Sequence, residues 1–331
     1  MIKKALLTGT GQDSSYLCEY LLSLGYKVFA TIRRQSTPEN QESRIAHLSN
    51  QVTTFYADLT DYASIEKVIS EVMPDEIYNL AAMSHVRISF DIPQNTAMVN
   101  AIGVLNVIEA AKKICPNAKI LQASSSEMFG NSVDVDGFQR ISTPMNPVSP
   151  YGCSKLYAYH ITKTYRKSYG MNIYNSICFN HESPRRGSNF VTNKVVKGAV
   201  RIKLGLQQSI ELGNLDSFRD WGHSKDYVRA MHLILQQDPG DYVVATGITH
   251  SVREMIQYVF NELGLDFDKH IVIDEKFKRP QELDYLKGDA TEIRALGWKP
   301  EYTFETMLDE MIEHWMNYYK PFDPLKHEQS K

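Results

Sequence analysis

The most chemically suggestive string in the chain is Tyr151-Gly152-Cys153-Ser154-Lys155, where a phenol and an ammonium stand four residues apart. On a helix that spacing puts both groups on one face. A nearby positive charge stabilises phenolate, so the pair predicts a tyrosine with a lowered pKa, usable as a general base near neutrality. A second string, Ser124-Ser125-Ser126-Glu127, closes a short apolar run. A serine hydroxyl there can hold a substrate oxygen and a carboxylate can move a proton, although a helix N-cap followed by a solvated glutamate is written in the same letters. Taken together the two strings make a candidate active site.

Three further features suit phosphate-bearing ligands. Thr8-Gly9-Thr10-Gly11-Gln12-Asp13-Ser14-Ser15 follows an N-terminal apolar run and precedes a helical pattern. Glycines at such a place let backbone approach a pyrophosphate at a helix N-terminus. The third glycine expected in this pattern is replaced by Ser14. At the end of the second apolar run stand Arg33 and Arg34, with no acidic residue. An acid there would hold ribose hydroxyls; arginine instead suits the 2′-phosphate of NADP. Arg185 with Arg186, and Arg219 with Arg279, are basic clusters fit for a diphosphate.

The elements that must position these residues alternate in type. Short apolar runs at 5–7, 28–32, 52–57, 76–80, 120–123 and 172–179 alternate with helical patterns at 14–24, 62–72, 95–113 and 151–169. Such alternation predicts an α/β fold with a doubly wound parallel sheet, and ligands outside the carboxyl ends of its strands. After about residue 180 polar loops predominate. This predicts residues 1–180 as a cofactor-binding domain and 181–331 as a smaller substrate lobe, with the run at 242–246 returning to the main sheet.

The chain has 331 residues, 36 Lys plus Arg and 39 Asp plus Glu, a net charge of -3. No broad basic field is available to nucleic acid. The N-terminal apolar run is too short for a signal peptide. No run of about 18 apolar residues is present to span a membrane. Cys18, Cys115, Cys153 and Cys178 share no CxxC spacing, so we expect reduced, mostly buried thiols, no metal and a cytoplasmic home. His85, His181 and His223 lack metal-ligand spacing. Trp221 and Trp298 read as packing residues.

The chain resembles the GDP-mannose 4,6-dehydratase family of the extended short-chain dehydrogenase/reductase superfamily. The resemblance rests on Tyr78-Asn79-Leu80-Ala81-Ala82, on Asn180-His181-Glu182-Ser183-Pro184-Arg185-Arg186-Gly187, on Arg219-Asp220-Trp221-Gly222-His223 and on Arg279-Pro280-Gln281-Glu282. It implies a Rossmann-type fold and a catalytic set of Ser125, Glu127, Tyr151 and Lys155. It implies NADP on Gly9, Gly11, Gln12, Asp13, Arg33, Asp58, Leu59, Leu80, Ala81, Ala82, Ser84, Tyr151, Lys155, His181 and Arg186. It implies a GDP-linked sugar on Ser84, Asn180, Lys194, Arg219, Arg279 and Glu282. Arg34 and Ser36 fall in a loop that reaches a neighbouring subunit in relatives, which implies a homo-tetramer or dimer.

The chain departs from the family's pattern at Ser14, at Met83 where a glutamine is usual, at Val148 where an arginine is usual, and in a longer segment between Glu127 and Tyr151. These departures cluster near the sugar. They leave three readings open: dehydration of GDP-D-mannose, the same reaction on GDP-D-glycero-D-manno-heptose, and a GDP-sugar C4 ketoreductase or oxidase. A non-catalytic NADP-binding protein is disfavoured, because binding alone has no use for a complete acid–base set.

Overall fold

A computed structural model of the chain describes residues 2–35, 44–277 and 280–320. Its strands are β1 (Lys4–Leu7), β2 (Lys27–Ile32), β3 (Val52–Tyr56), β4 (Glu76–Asn79), β5 (Lys119–Ser125), β6 (Ile173–Cys178), β7 (Asn180–Glu182), β8 (Ile210–Leu212), β9 (Phe218–Arg219), β10 (Trp221–His223), β11 (Asp241–Val244), β12 (His250–Ser251) and β13 (Ile271–Ile273). Seven of them form one sheet in the order β11-β6-β5-β4-β1-β2-β3, and every pairing in it is parallel. The predicted doubly wound sheet is present, and the run at 242–246 returns to it as β11 beside β6. Strand order reverses between β1 and β4, which opens a crevice at their carboxyl ends.

The strands are continuous apolar runs because both faces of the sheet are covered. One face packs on the helices Gln12–Ser23 and Ser224–Leu235 through Leu17, Leu21, Tyr227 and Met231. The other packs on the helices Tyr62–Val72 and Gly103–Ile114 through Ile65, Ile69, Val104 and Ile108. A separate core gathers Val195, Val196, Trp221, Met255, Phe260, Met307 and Met311. Each fully buried side chain of this size contributes about 1.5–3 kcal/mol, so both cores hold their helices firmly. The small pairs β7–β10, β9–β12 and β8–β13 tie the second core to the edge of the crevice.

Two local expectations are corrected. The helical pattern at 95–113 is not one regular helix: Pro93–Ala97 runs into a π-helical turn, Met98–Ile102, and then into Gly103–Ile114. Hydrophobic periodicity does not register such a turn, because it is averaged over several turns and the π-helical stretch is a single five-residue turn inside a long helical run. The thiols are not uniformly buried either: Cys18 and Cys178 are buried, Cys115 is half-buried and Cys153 is exposed. Among the described residues no helix is long and apolar enough to cross a membrane.

Candidate active site

The helix Pro150–Tyr169 starts where its sequence directs. The Ser149 hydroxyl accepts from the Gly152 N–H at 3.0 Å, and Pro150 occupies the first turn, where its missing N–H costs nothing. Gly152 permits the close approach that builds the site. A Cβ there would lie 2.8 Å from the Glu127 carbonyl oxygen and 2.9 Å from Pro147 Cβ. Only glycine lets this helix pass so near the end of β5, and that brings Tyr151 and Lys155 beside Ser125 and Glu127.

All four residues line one cleft of about 800 Å³, and each is buried. Ser125 lies at the end of β5, and its Oγ accepts from the Glu127 N–H at 3.3 Å. Lys155 Nζ donates to the Ala123 carbonyl at 2.8 Å and sits 5.8 Å from the Tyr151 ring centroid. Burial pushes Lys155 down to about 8. Burial also pushes Tyr151 up to about 12, a rise opposed by a hydrogen bond from Ser125. The lowered tyrosine expected from the spacing is therefore not what the chain alone provides. Helix spacing reports which face two residues share and not how deeply both are removed from water, and here desolvation dominates, opposed by Ser125 and by the charge of Arg186. Cys178, which also lines the cleft, is likewise pushed up to about 12 by burial.

The cleft continues past these residues. Asp13, Leu80, Ala82, Ser84, Asn180, His181, Arg186, Lys194, Arg219 and Glu282 also line it. Asn180 Oδ1 is buried with no hydrogen-bond partner among the described residues, which marks a place for a donor from a ligand. Lys194 Nζ lies 3.5 Å from the Phe277 ring centroid. Arg186 pairs with the buried Glu182 at 3.0 Å and lies over the Phe190 ring at 3.7 Å. Gly9, Gly11, Gln12, Arg33, Asp58, Leu59 and Ala81 lie outside the cleft lining, spread along the carboxyl ends of β1 to β4. Arg33 and Arg34 are exposed beyond β2. Arg279 and Ser36 lie outside the described residues.

The glycine loop fits a pyrophosphate. Gly9 has φ +78, a conformation that favours glycine, and a Cβ there would press on Ala81 at 3.2 Å. A Cβ on Gly11 would meet nothing within 4 Å, so this face is open. Ser15 donates the first intrahelical bond, to the Gly11 carbonyl, and the N–H groups of Gln12, Asp13 and Ser14 precede that ladder, as an anion requires. Ser14 is 2% exposed; it is turned into the protein and does not crowd the loop. The Gln12 side chain is committed elsewhere, donating to the His181 carbonyl at 3.1 Å and accepting from Ser183 at 2.7 Å.

Sequence reasoning missed several groups. His85 donates through Nε2 to the Asn189 carbonyl at 3.2 Å and accepts at Nδ1 from the Ile88 N–H at 3.2 Å, joining the two sides of the cleft. Asn100, on the π-helical turn, accepts from the Met83 N–H at 2.8 Å and donates to the Met83 carbonyl at 3.0 Å, fixing the loop that carries Ala82 and Ser84. Trp221, read as packing, stacks on Phe304 and also lines the cleft, as does Phe277. Only contact in space connects these residues to the site.

Comparison with known proteins identifies the family. The family model described as GDP-mannose 4,6 dehydratase matches residues 6–311. The human GDP-mannose 4,6 dehydratase is 44% identical over 336 residues, covering 93% of this chain and 90% of its own. GDP-mannose 4,6 dehydratase 2 of Arabidopsis thaliana is 47% identical, covering 94% and 86%, and that of Vibrio cholerae is 42% identical, covering 94% and 93%. The fold is shared with a UDP-glucose 4-epimerase of Thermus thermophilus complexed with NAD, at a TM-score of 0.83, 24% identity and coverage of 94% and 98%. It is also shared with a dTDP-glucose 4,6-dehydratase of Bacillus anthracis in complex with NAD, at 0.83, 23%, 98% and 99%, and with an RMD of Pseudomonas aeruginosa complexed with NADPH, at 0.78, 22%, 95% and 99%. The relatives are named for mannose and for dehydration, so the heptose and ketoreductase readings are set aside. The chain belongs to the GDP-mannose 4,6-dehydratase family.

Proposed function

We propose that this protein is an NADP-dependent lyase that converts GDP-D-mannose to GDP-4-keto-6-deoxy-D-mannose. The observation that carries the reading is the convergence of Ser125, Glu127, Tyr151 and Lys155 in one cleft whose other end presents Lys194 and Arg219. Those cations and the orphaned Asn180 oxygen suit a nucleoside diphosphate and its sugar. Glu282 adds an acceptor, and Arg279 extends the same cluster in sequence. A nicotinamide cofactor is supported by the glycine loop and by the NAD or NADPH bound in the structural neighbours. NADP rather than NAD is supported by the exposed Arg33 and Arg34 at the end of β2, which match a 2′-phosphate. The N–H groups after Gly9 and Gly11 would hold its pyrophosphate, Asp58, Leu59 and Leu80 to Ser84 would border its rings and riboses, and His181, Arg186 and Lys155 would complete its site.

In the reaction Ser125 holds the 4-hydroxyl oxygen and Tyr151 takes its proton as C4 is oxidised. The 4-ketone acidifies the neighbouring C5–H. Glu127 removes that proton and delivers it to the 6-hydroxyl, which leaves as water; C5 regains a proton from solvent when C6 is reduced, and Tyr151 gives up the proton it took from the 4-hydroxyl to balance it. Lys155 steadies the phenolate. A bound nicotinamide cofactor would supply two things there: a store for the hydride taken from C4 and returned at C6, and in its oxidised form a positive charge to offset the burial of Tyr151. Because the hydride is returned, turnover needs no reductant. The test is mass spectrometry after incubation with GDP-mannose alone: a product lighter by one water supports the reading, and an unchanged sugar contradicts it. A homo-oligomer and a cytoplasmic home belong to the same proposal, by analogy with the family and from the reduced thiols.

A further inference from the structure

The carbonyl that receives Lys155 is itself clamped from beneath. Ala123 O accepts from Lys155 Nζ at 2.8 Å and from the Gln122 side-chain amide at 2.9 Å. Gln122 Oε1 accepts from Asn79 Nδ2 at 2.7 Å, and Asn79 Oδ1 accepts from the Thr8 hydroxyl at 2.8 Å. Thr8 Oγ1 accepts in turn from the Leu80 and Ala81 N–H groups at 2.9 and 3.0 Å. This chain of bonds crosses three adjacent strands, β1, β4 and β5, and ends on the helix Pro150–Tyr169. Its three side chains are each 2% exposed, at depths where apolar residues would pack at no polar cost.

The polarity of the chain is determined at its first member. The lone pairs of Thr8 Oγ1 are taken by two N–H groups, so its single proton goes to Asn79 Oδ1. That orients the Asn79 amide, whose N–H then faces Gln122 Oε1. Gln122 is left with its N–H₂ towards Ala123 O. The β4–β5 pairing stops at Asn79 opposite Gln122, so from Ala123 onward the strand is held by its β6 neighbour alone, Ala123 pairing with Ser176, and the Gln122 side chain supplies the support that β4 no longer gives.

We infer that Gln122 is a positioning residue for the dehydration, fixing the Ala123 carbonyl that aims the Lys155 ammonium at Tyr151. Through Asn79 and Thr8 the same chain fixes the Leu80–Ala81 loop, so the glycine-loop side and the catalytic side of the cleft share one rigid support. Buried networks of this kind act as a unit, and removing one member leaves its partners unsatisfied. The inference rests on the dehydratase reading, because it takes Lys155 as a working group.

The experiment compares the full-length parent, Gln122→Met, Lys155→Met and the double variant on GDP-mannose. Gln122→Met keeps the side chain's length and removes both polar groups. We expect kcat to fall about tenfold, the size of effect a small misplacement produces, with KM changed by less than about twofold. The alkaline limb of kcat moves to lower pH, because the ammonium loses a fixed acceptor. In the Lys155→Met background the same substitution produces no further loss, since it acts through the lysine. A purely structural role would lower kcat evenly across pH and in both backgrounds. If Gln122→Met does not fold, Gln122→Glu carries the same kcat and double-variant test, since it keeps the acceptor for Asn79 and replaces the donor to Ala123. An unchanged kcat and unmoved limb, or equal losses in both backgrounds, overturn the proposal alone. A parent protein that converts no GDP-mannose overturns the dehydratase reading and this proposal with it.

Discussion

Asp13 and His181 meet at 2.9 Å across the crevice, one in the first turn after the glycine loop and the other on β7. Asp13 also accepts from the Ser224 hydroxyl at 2.7 Å, and His181 Nδ1 donates to the Phe179 carbonyl at 2.8 Å while its ring stacks on Tyr227. Burial by itself would lower the histidine, but the Asp13 carboxylate outweighs it and favours the imidazolium. Burial would raise Asp13, but His181 holds it well below the usual carboxylate range. The raised histidine gives stability that is complete below its ordinary value and is lost as pH rises through its folded one. The depressed aspartate gives stability that is complete above its ordinary value and is lost as pH falls through its folded one. Between about pH 4 and 6.5 both contributions are full. Asp13→Asn should therefore cost about 3 kcal/mol in that window and less above it. Urea unfolding of both proteins at several pH values checks this. An equal cost at every pH would contradict it.

Glu127→Gln keeps the shape of the side chain and removes its proton transfer. C4 oxidation should continue, since Tyr151 and Ser125 are untouched, while water loss slows about a thousandfold. Reduced nicotinamide absorbance should then accumulate in a single turnover of the variant and not of the parent. Formation of the 6-deoxy product at the parent rate would remove Glu127 from its assigned role.

In the proposed mechanism Lys155 works as an ammonium, and burial holds it down to about 8. Activity should fall as pH rises through that value, because the lysine then loses its charge. Lys155→Arg, which stays charged, should lose this alkaline limb even where its overall rate is low. A pH–rate profile of each protein is the measurement.

Arg33 is exposed at the end of β2, where a 2′-phosphate would make a charge-assisted contact. Arg33→Ala should weaken NADP binding by about tenfold to a hundredfold and leave NAD binding nearly unchanged. Calorimetric titration with each cofactor distinguishes a phosphate contact from a general loss of the site.

Much of this architecture was legible in the letters. The six early strands and the helices on either side of them fall within a few residues of their apolar runs, because a parallel sheet covered on both faces must be apolar throughout. Ser125, Glu127, Tyr151 and Lys155 could be assembled because strand ends and one helix face place them. Other features depend on distance across the fold. The π-helical turn at Met98–Ile102 is one five-residue turn inside a long helical pattern, so Asn100 and its hold on Met83 were hidden. His85, Trp221 and Phe277 come to the cleft only through tertiary packing. The Tyr151 pKa moved opposite to expectation because spacing shows neighbours and not desolvation. Gln122 looked like one polar residue in an apolar strand until its neighbours on β4 and β1 were in place.

The central claim is that one cleft oxidises C4, eliminates water across C5 and C6, and returns the same hydride to C6. GDP-mannose carrying deuterium at C4, incubated with the protein and no added reductant, tests it most directly. The account predicts a 6-deoxy-4-keto product with the deuterium on its C6 methyl group, read by NMR. A product without deuterium at C6, or one formed only when reduced cofactor is supplied, would contradict it.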